Sequence, residues 1–426
     1  MIDLLRPLRA AAKRFPPIAA VARQVTFLRQ RAAHLKFIRS YRSRDGRSEV
    51  DRFVENPLLI GYFEAGFGLG EQARGLASAL EAASVPFAVY PYHSFLTGRL
   101  LRETPWASRY DVDNIHAINV FCMAVDQTPN ALKIIGRRHF ENSYNIIYTA
   151  WELSRAPEAW RADLEFFDEL WALSSFATHS FQPIFSKPAH TIPLCINVPA
   201  AITGNRKQFR LNAGKFYFLF FFDYNSYPER KNPLAVVKAF ETAFRDQTDD
   251  VGLILKTTGA PHEYPDVEFQ LKSAAKRDSR ITLLHGDWPR ADVLSLLASV
   301  NCFVSLHRSE GFGLGMAEAM ALGKPVIATN FSSNVQFLNE DTGYPVPYRI
   351  RAVEDQEYPH AAGNVWAEPE VSAAVEFMRH VVRNPDEARK KALQGQVFVR
   401  QHFNPKTIGN IVTERLRTLG NGSRLG

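Results

Sequence analysis

Cysteine is scarce in this chain of 426 residues: Cys122, Cys195 and Cys302, each inside an apolar segment. None has metal-ligand spacing, which argues against a disulfide framework or a zinc site and fits a reducing, cytoplasmic home. No apolar run reaches the ~20 residues a membrane span requires. The longest aromatic run, 216–222, has only strand length. Charges stand where a signal peptide needs its apolar stretch, so secretion is not indicated. Low-complexity segments and short internal repeats are missing too. With 46% hydrophobic and 12% aromatic residues, the chain reads as globular rather than disordered.

What is present begins with an uneven charge. The net charge is +7, yet residues 1–48 hold twelve Lys/Arg against Asp3 and Asp45, leaving the remainder near −3. The basic character therefore belongs to an N-terminal extension, 1–50. Leu4, Leu8, Val21, Val25, Leu28, Leu35 and Ile38 recur there at roughly helical spacing between the basic residues. Such a segment suits either a helix packed on the body or a peripheral contact with an anionic membrane at its cytoplasmic face. No aromatic-basic platform accompanies the charge, so no nucleic-acid partner is expected.

From Leu58 onward, apolar runs of strand length alternate with helical patterns, the signature of parallel α/β units. A first set runs through 58–63, 87–92, 116–123, 145–151, 169–174 and 190–196. A polar, basic stretch at 203–215 reads as a linker. The second set is 216–223, 252–258, 281–287, 302–307 and 325–329. The expected fold class is α/β with two doubly wound, Rossmann-like domains, 51–205 and 206–404. A last helix, 405–426, is expected to return toward the first domain. Ligands in such sheets sit beyond the carboxyl ends of the strands.

The most informative segment is 309–329, SEGFGLGMAEAMALGKPVIAT. Glu310 falls in the loop after the strand 302–307, and Glu318 lies inside the following helix. Gly311, Gly313 and Gly315 let backbone amides approach a ligand, and the helix N-terminus offers N–H donors and partial positive charge to a diphosphate. A carboxylate one to two turns further in can accept two hydrogen bonds from a vicinal diol. A bare pair of glutamates would read as solvent-facing; the complete string does not.

This string closely resembles the Glu-x(7)-Glu signature of retaining GT-B glycosyltransferases, family 4 (glycosyl transferases group 1). The resemblance covers essentially the whole second domain and, more weakly, the first. It implies a nucleoside-diphosphate sugar as co-substrate, with Glu310 on donor-sugar hydroxyls and Glu318 on the nucleotide ribose. The stretch Gly311, Phe312, Gly313 and Leu314 is then donor-binding. In DYNSYPERKNP (223–233), Lys231 matches the lysine of a basic pair that clasps the diphosphate. The partner arginine is not evident, since Asp223 stands near its place; Arg230 or Lys256 is the substitute. In EAGFGLGEQARG (64–75), Gly68 and Gly70 correspond to a glycine loop facing the diphosphate across the cleft, with Glu71 or Gln72 toward the acceptor. Asp126 and Gln127, after the third strand, stand where related enzymes place a polar residue near the donor sugar. Glu152 suits an acceptor contact or a local salt bridge. Asn334, with Ser332 and Ser333, suits helix capping or a sugar or phosphate contact; His307 and Arg308 are nearer to structural roles.

The activity implied is retaining transfer of a hexose to a hydroxyl of a glycan or lipid-linked oligosaccharide, as in bacterial surface or capsular polysaccharide assembly. Catalysis would rest on Glu310, Lys231, Arg230 and Asp126. No Asp-x-Asp pair stands at a strand end, so neither a metal nor another cofactor is expected. GDP-mannose, UDP-glucose and UDP-galactose remain open as donors. The rival readings are another GT-B enzyme, such as a nucleotide-sugar epimerase or a phosphorylase, and a catalytically silent binding subunit.

Overall fold

A computed structural model describes residues 56–93, 104–141, 143–246 and 250–421. The basic extension 1–48 lies outside the described residues. Among those described, six short strands form the first sheet: β1 Leu58–Gly61, β2 Ala88–Pro91, β3 Ile118–Cys122, β4 Tyr144–Thr149, β5 Glu169–Ala172 and β6 Ala189–Thr191. Their order is β2-β1-β3-β4-β5-β6, with every pairing parallel. The second sheet holds β7 Phe216–Asp223, β8 Val251–Thr258, β9 Ile281–His285, β10 Cys302–Ser305, β11 Val326–Thr329 and β12 Tyr344–Val346. It runs β12-β11-β10-β7-β8-β9, again all parallel.

These orders place the chemistry. The direction of winding reverses between β1 and β3 in the first sheet and between β10 and β7 in the second. At such a switch point the loops leave to opposite faces and open a crevice at the carboxyl edge. The segments leaving β1, β3, β7 and β10 carry the glycine loop, Asp126, Arg230–Lys231 and Glu310 respectively.

Strand alternation sorts the first domain's core. Leu59, Val120, Ile146 and Trp171 face one side, packed with Leu76 and Leu80 of the helix Gly68–Ala82. Leu58, Ile60, Phe121, Ile147 and Leu170 face the other, with Trp151 and Trp160. This is the period of two expected of a sheet buried on both faces. Helices at 233–243, 265–277 and 385–402 each begin on proline, whose missing N–H costs nothing in a first turn.

Two features tie the halves together. The helix Pro405–Asn421 packs on Gly68–Ala82, with Ile408, Val412 and Leu416 buried in the shared core. At Gly409 a Cβ would lie 2.1 Å from the Ala79 carbonyl oxygen, so only glycine permits this approach. The other feature was not read from the sequence. An antiparallel hairpin, β13 Tyr348–Ala352 and β14 Val365–Pro369, extends from the second domain. Val353, Tyr358, Ala361 and Trp366 from this segment are buried within the first domain's aromatic core. Strands with charges on one side and few apolar residues carry a weak periodic signal, and their burial depends on the other domain.

Gly70 sits in the glycine loop's helix with its missing Cβ 2.3 Å from the Ala65 carbonyl oxygen and 2.9 Å from that of Tyr62. Gly70→Ala should therefore cost about 2 kcal/mol by overpacking, read as a lower denaturant midpoint; an unchanged midpoint would show that the loop yields.

Candidate active site

The loop after β7 turns sharply. Tyr227 has φ +62°, unusual for a residue with a Cβ, and begins the single turn Pro228–Lys231. Its carbonyl accepts from the N–H groups of Arg230 and Lys231 at 3.0 and 3.2 Å. Asn232, also left-handed at φ +55°, ends the turn and donates from Nδ2 to the Leu306 carbonyl at 3.0 Å. The Arg308 N–H donates to the Arg230 carbonyl at 2.8 Å. These bonds lash the loop after β7 to the loop after β10, and backbone strain of this kind persists where surrounding contacts over-determine it.

The result is a buried charge centre. Lys231 Nζ donates to Glu310 Oε1 at 2.5 Å, and Arg230 Nη1 donates to Oε2 at 3.1 Å and to the Ser309 carbonyl at 2.9 Å. The Glu310 N–H donates to Ser332 Oγ at 2.8 Å. Burial alone would push the Glu310 carboxyl up, but Lys231 and Arg230 outweigh it and hold the group at about 2. Burial likewise opposes the charge on Arg230, and Glu310 and Glu152 more than restore it. Lys231 moves the other way: burial lowers it, Glu310 recovers only part, and neighbouring Arg230 repels its charge. One carboxylate shared between two adjacent cations is better solvated than either cation is, which accounts for the opposite directions.

Glu152 of the first domain completes the centre, with Oε1 3.8 Å from Arg230 Nη2 and Oε2 accepting from the Tyr358 hydroxyl at 2.9 Å. Ser309 Oγ donates to the Glu152 carbonyl. A Cβ on Gly311 would lie 3.1 Å from Ala150 Cβ, so this loop runs directly against the first domain. Two cations and two carboxylates thus meet at the seam, matched in charge, as burial of ions requires.

Glu318 is buried on the helix Leu314–Ala321, which Gly313 opens at φ +92°. Its carboxyl is raised, chiefly by burial, which Arg290 opposes and Glu71 reinforces. Arg290, unmarked in the sequence reading, bridges the two domains: Nη2 is 2.6 Å from Glu318 Oε1 and Nε is 3.2 Å from Glu71 Oε2. Glu71 also pairs with Arg74 at 2.6 Å.

Other expected site residues are distributed less compactly. Gly68 opens its helix with nothing near its missing Cβ, whereas Gly70 is a packing glycine. The Phe312 ring is buried against Phe337 and Phe403. Leu314 is half-buried in the same core. Lys256 donates to the Gly286 carbonyl at 2.6 Å and lies 5.3 Å from the Trp288 ring centre. Asn334 is spent on structure, with Oδ1 3.0 Å from His307 Nε2 and Nδ2 donating to the Thr329 carbonyl at 2.9 Å. Its segment is a short 3-10 turn with no side-chain cap: Ser332 serves Glu310, and Ser333 meets Ser174 of the first domain at 2.6 Å. Gln72 is buried and donates to the Tyr148 carbonyl, so Glu71 alone of that pair faces the cleft. Asp126 is exposed on the loop after β3. Its carboxyl is raised, chiefly because neighbouring protein displaces water from it, against the opposing pull of Gln127 and His360. Arg308 is held by Glu368 at 2.8 Å and by the Glu229 carbonyl at 2.6 Å. Among the described residues no group of three or more His, Cys, Asp or Glu is placed to hold a metal, and no helix is long and apolar enough to cross a membrane.

Two parallel sheets meeting at their carboxyl edges, with matched charges at the seam, define the GT-B class of fold. Residues 202–392 match the model of glycosyl transferases group 1. D-inositol 3-phosphate glycosyltransferase of Arthrobacter sp. (strain FB24) is 32% identical over 139 residues, 32% of each chain, so the match spans about a third of that relative. Sucrose-phosphate synthase from Thermosynechococcus elongatus aligns with a TM-score of 0.61 at 19% identity, over 86% of this chain and 100% of that one. Anabaena HepE in complex with UDP and glucose aligns at 0.59 and 16% identity, over 85% and 100%. At these identities the structural likeness is one of fold.

Proposed function

We propose that the protein is a retaining glycosyltransferase of family 4 that moves a hexose from a nucleoside-diphosphate sugar to a hydroxyl of a glycan or lipid-linked oligosaccharide. The observation that carries this reading is Glu310 bonded to both Lys231 and Arg230 at the switch point of the second sheet. An ionised carboxylate there accepts hydrogen bonds from sugar hydroxyls. The two cations and the amides that open the helix Leu314–Ala321 stabilise the departing diphosphate. The bond from the anomeric carbon to phosphate oxygen breaks, and the acceptor oxygen bonds to that carbon from the same face. The acceptor's proton passes to the leaving phosphate, so no protein base is required, and positioning supplies most of the rate. Glu318 takes the ribose diol, and Asp126 borders the sugar. Donor candidates are GDP-mannose, UDP-glucose and UDP-galactose; the UDP and glucose held by HepE favour testing the uridine donors first. Surface or capsular polysaccharide assembly, at a membrane met by residues 1–48, is the setting such an acceptor and that basic extension suggest.

The test is to incubate the pure protein with each donor and an oligosaccharide acceptor, and to assign the product's anomeric configuration by NMR. We expect the donor's configuration to be kept. Inversion would overturn the retaining mechanism, and neither transfer nor donor hydrolysis would remove the enzymatic reading.

A further inference from the structure

The charges at Glu310 are already matched, so an entering diphosphate brings negative charge beyond what that centre balances. The geometry points to Arg290 as the further cation for the diphosphate, binding it from the opposite end of the cleft. This rests on the nucleotide-sugar reading above and names a residue for it.

Arg290 stands at the start of the ten-residue helix Arg290–Ser299, just after β9. It is one-third exposed, unlike Arg230, and lies between Glu71 beside the glycine loop and Glu318 beneath the cleft. Its Nε and Nη2 serve those carboxylates, while Nη1 has no hydrogen bond among the described residues. One edge of the guanidinium therefore meets a ligand first, before either pair is given up. A second observation concerns Glu318. Glu318 Oε1 is buried and, although 2.6 Å from Nη2, makes no aligned hydrogen bond. A buried acceptor left so costs free energy unless a donor arrives, and a ribose hydroxyl is such a donor. With Glu318 turned to the ribose, the neighbouring guanidinium is released toward the adjoining phosphates. Its planar fork matches phosphate oxygens in a way an ammonium does not. The pair with Glu71 is a competing hold, exchanged for phosphate when the donor enters.

The test is calorimetric titration of the full chain with UDP, GDP and ADP, and with uridine, guanosine and adenosine. For the diphosphate that binds, Arg290→Ala should weaken affinity at least tenfold while the matching nucleoside changes less than threefold. Arg290→Lys should recover part of the loss. Glu71→Gln, which leaves Arg290 in place and removes its competitor, should tighten the diphosphate at least twofold and supports the assignment even where Arg290→Ala proves unstable. Equal losses for nucleoside and diphosphate would make Arg290 a mere support of Glu318 and overturn the inference. Tighter diphosphate binding by Arg290→Ala would make it a plug rather than a ligand group. If the wild type binds none of the three diphosphates, the nucleotide-sugar reading fails as well; if it binds one and Arg290→Ala binds equally, only this inference fails.

Discussion

Glu310→Gln is expected to reduce transfer by about a thousandfold or more, the scale of losing a group that acts on developing charge, and to destabilise the second domain as well. The amide keeps the carboxylate's volume but not its charge. Arg230, 3% exposed, then remains buried beside Lys231 with only Glu152 at 3.8 Å to balance them. Removing one partner of a buried ion pair typically costs about 3–5 kcal/mol, because the surviving charge stays desolvated. Lys231 can relieve the strain by losing its proton, a step that burial already favours. Arg230 cannot. Adding Lys231→Met to Glu310→Gln should therefore recover much of the lost melting temperature and none of the activity. That split separates the two roles: turnover near wild type in Glu310→Gln would take Glu310 out of the reaction, and an unchanged melt would show that the charges are not balanced as described.

Arg415→Ala should give the largest effect on stability far from the cleft. Glu169 is fully buried in β5 and accepts from Arg415 Nε at 2.7 Å and Nη2 at 2.5 Å, from Trp171 Nε1 at 2.5 Å and from the Tyr144 hydroxyl at 3.0 Å. Arg415 belongs to the last helix, so the pair pins the C-terminal segment to the first sheet. Truncation leaves the carboxylate with neutral donors and an exposed path to water. A loss of about 3 kcal/mol in denaturant unfolding is expected, and Glu169→Gln in the same chain should return a good part of it. If Arg415→Ala unfolds at the wild-type midpoint, the helix is held by Ile408, Val412 and Leu416 alone.

Much of the second sheet could be read from the chain itself. The run 216–223 is β7 residue for residue, because seven apolar positions between Lys215 and Asp223, with a polar turn beyond, read as one buried strand. Predicted and observed strands elsewhere differ mainly at their ends, where edge residues leave the ladder. Glu310 and Lys231 were legible for a related reason: each follows a strand closely, so its place at the carboxyl edge is set by local geometry.

The misses share a cause as well. Arg290 resembles any arginine opening a helix until Glu71, more than two hundred positions earlier, is brought beside it. Gln72 and Phe312 lie in motifs that invite a ligand, yet their side chains turn inward to the Tyr148 carbonyl and to Phe403. The hairpin at 348–369 has no core of its own and is buried only because Trp151 and Trp160 of the other domain receive it.

Local rules therefore determined the strands, the glycine turns and the two glutamates eight positions apart, since apolar period, backbone freedom and spacing act within a few residues. The tertiary structure alone decided that Glu310 is held ionised by two cations, that Glu152 and Tyr358 close the seam, and that Arg290 stands between Glu71 and Glu318. Charge pairing acts through space, and only the folded chain says which charges share a cleft.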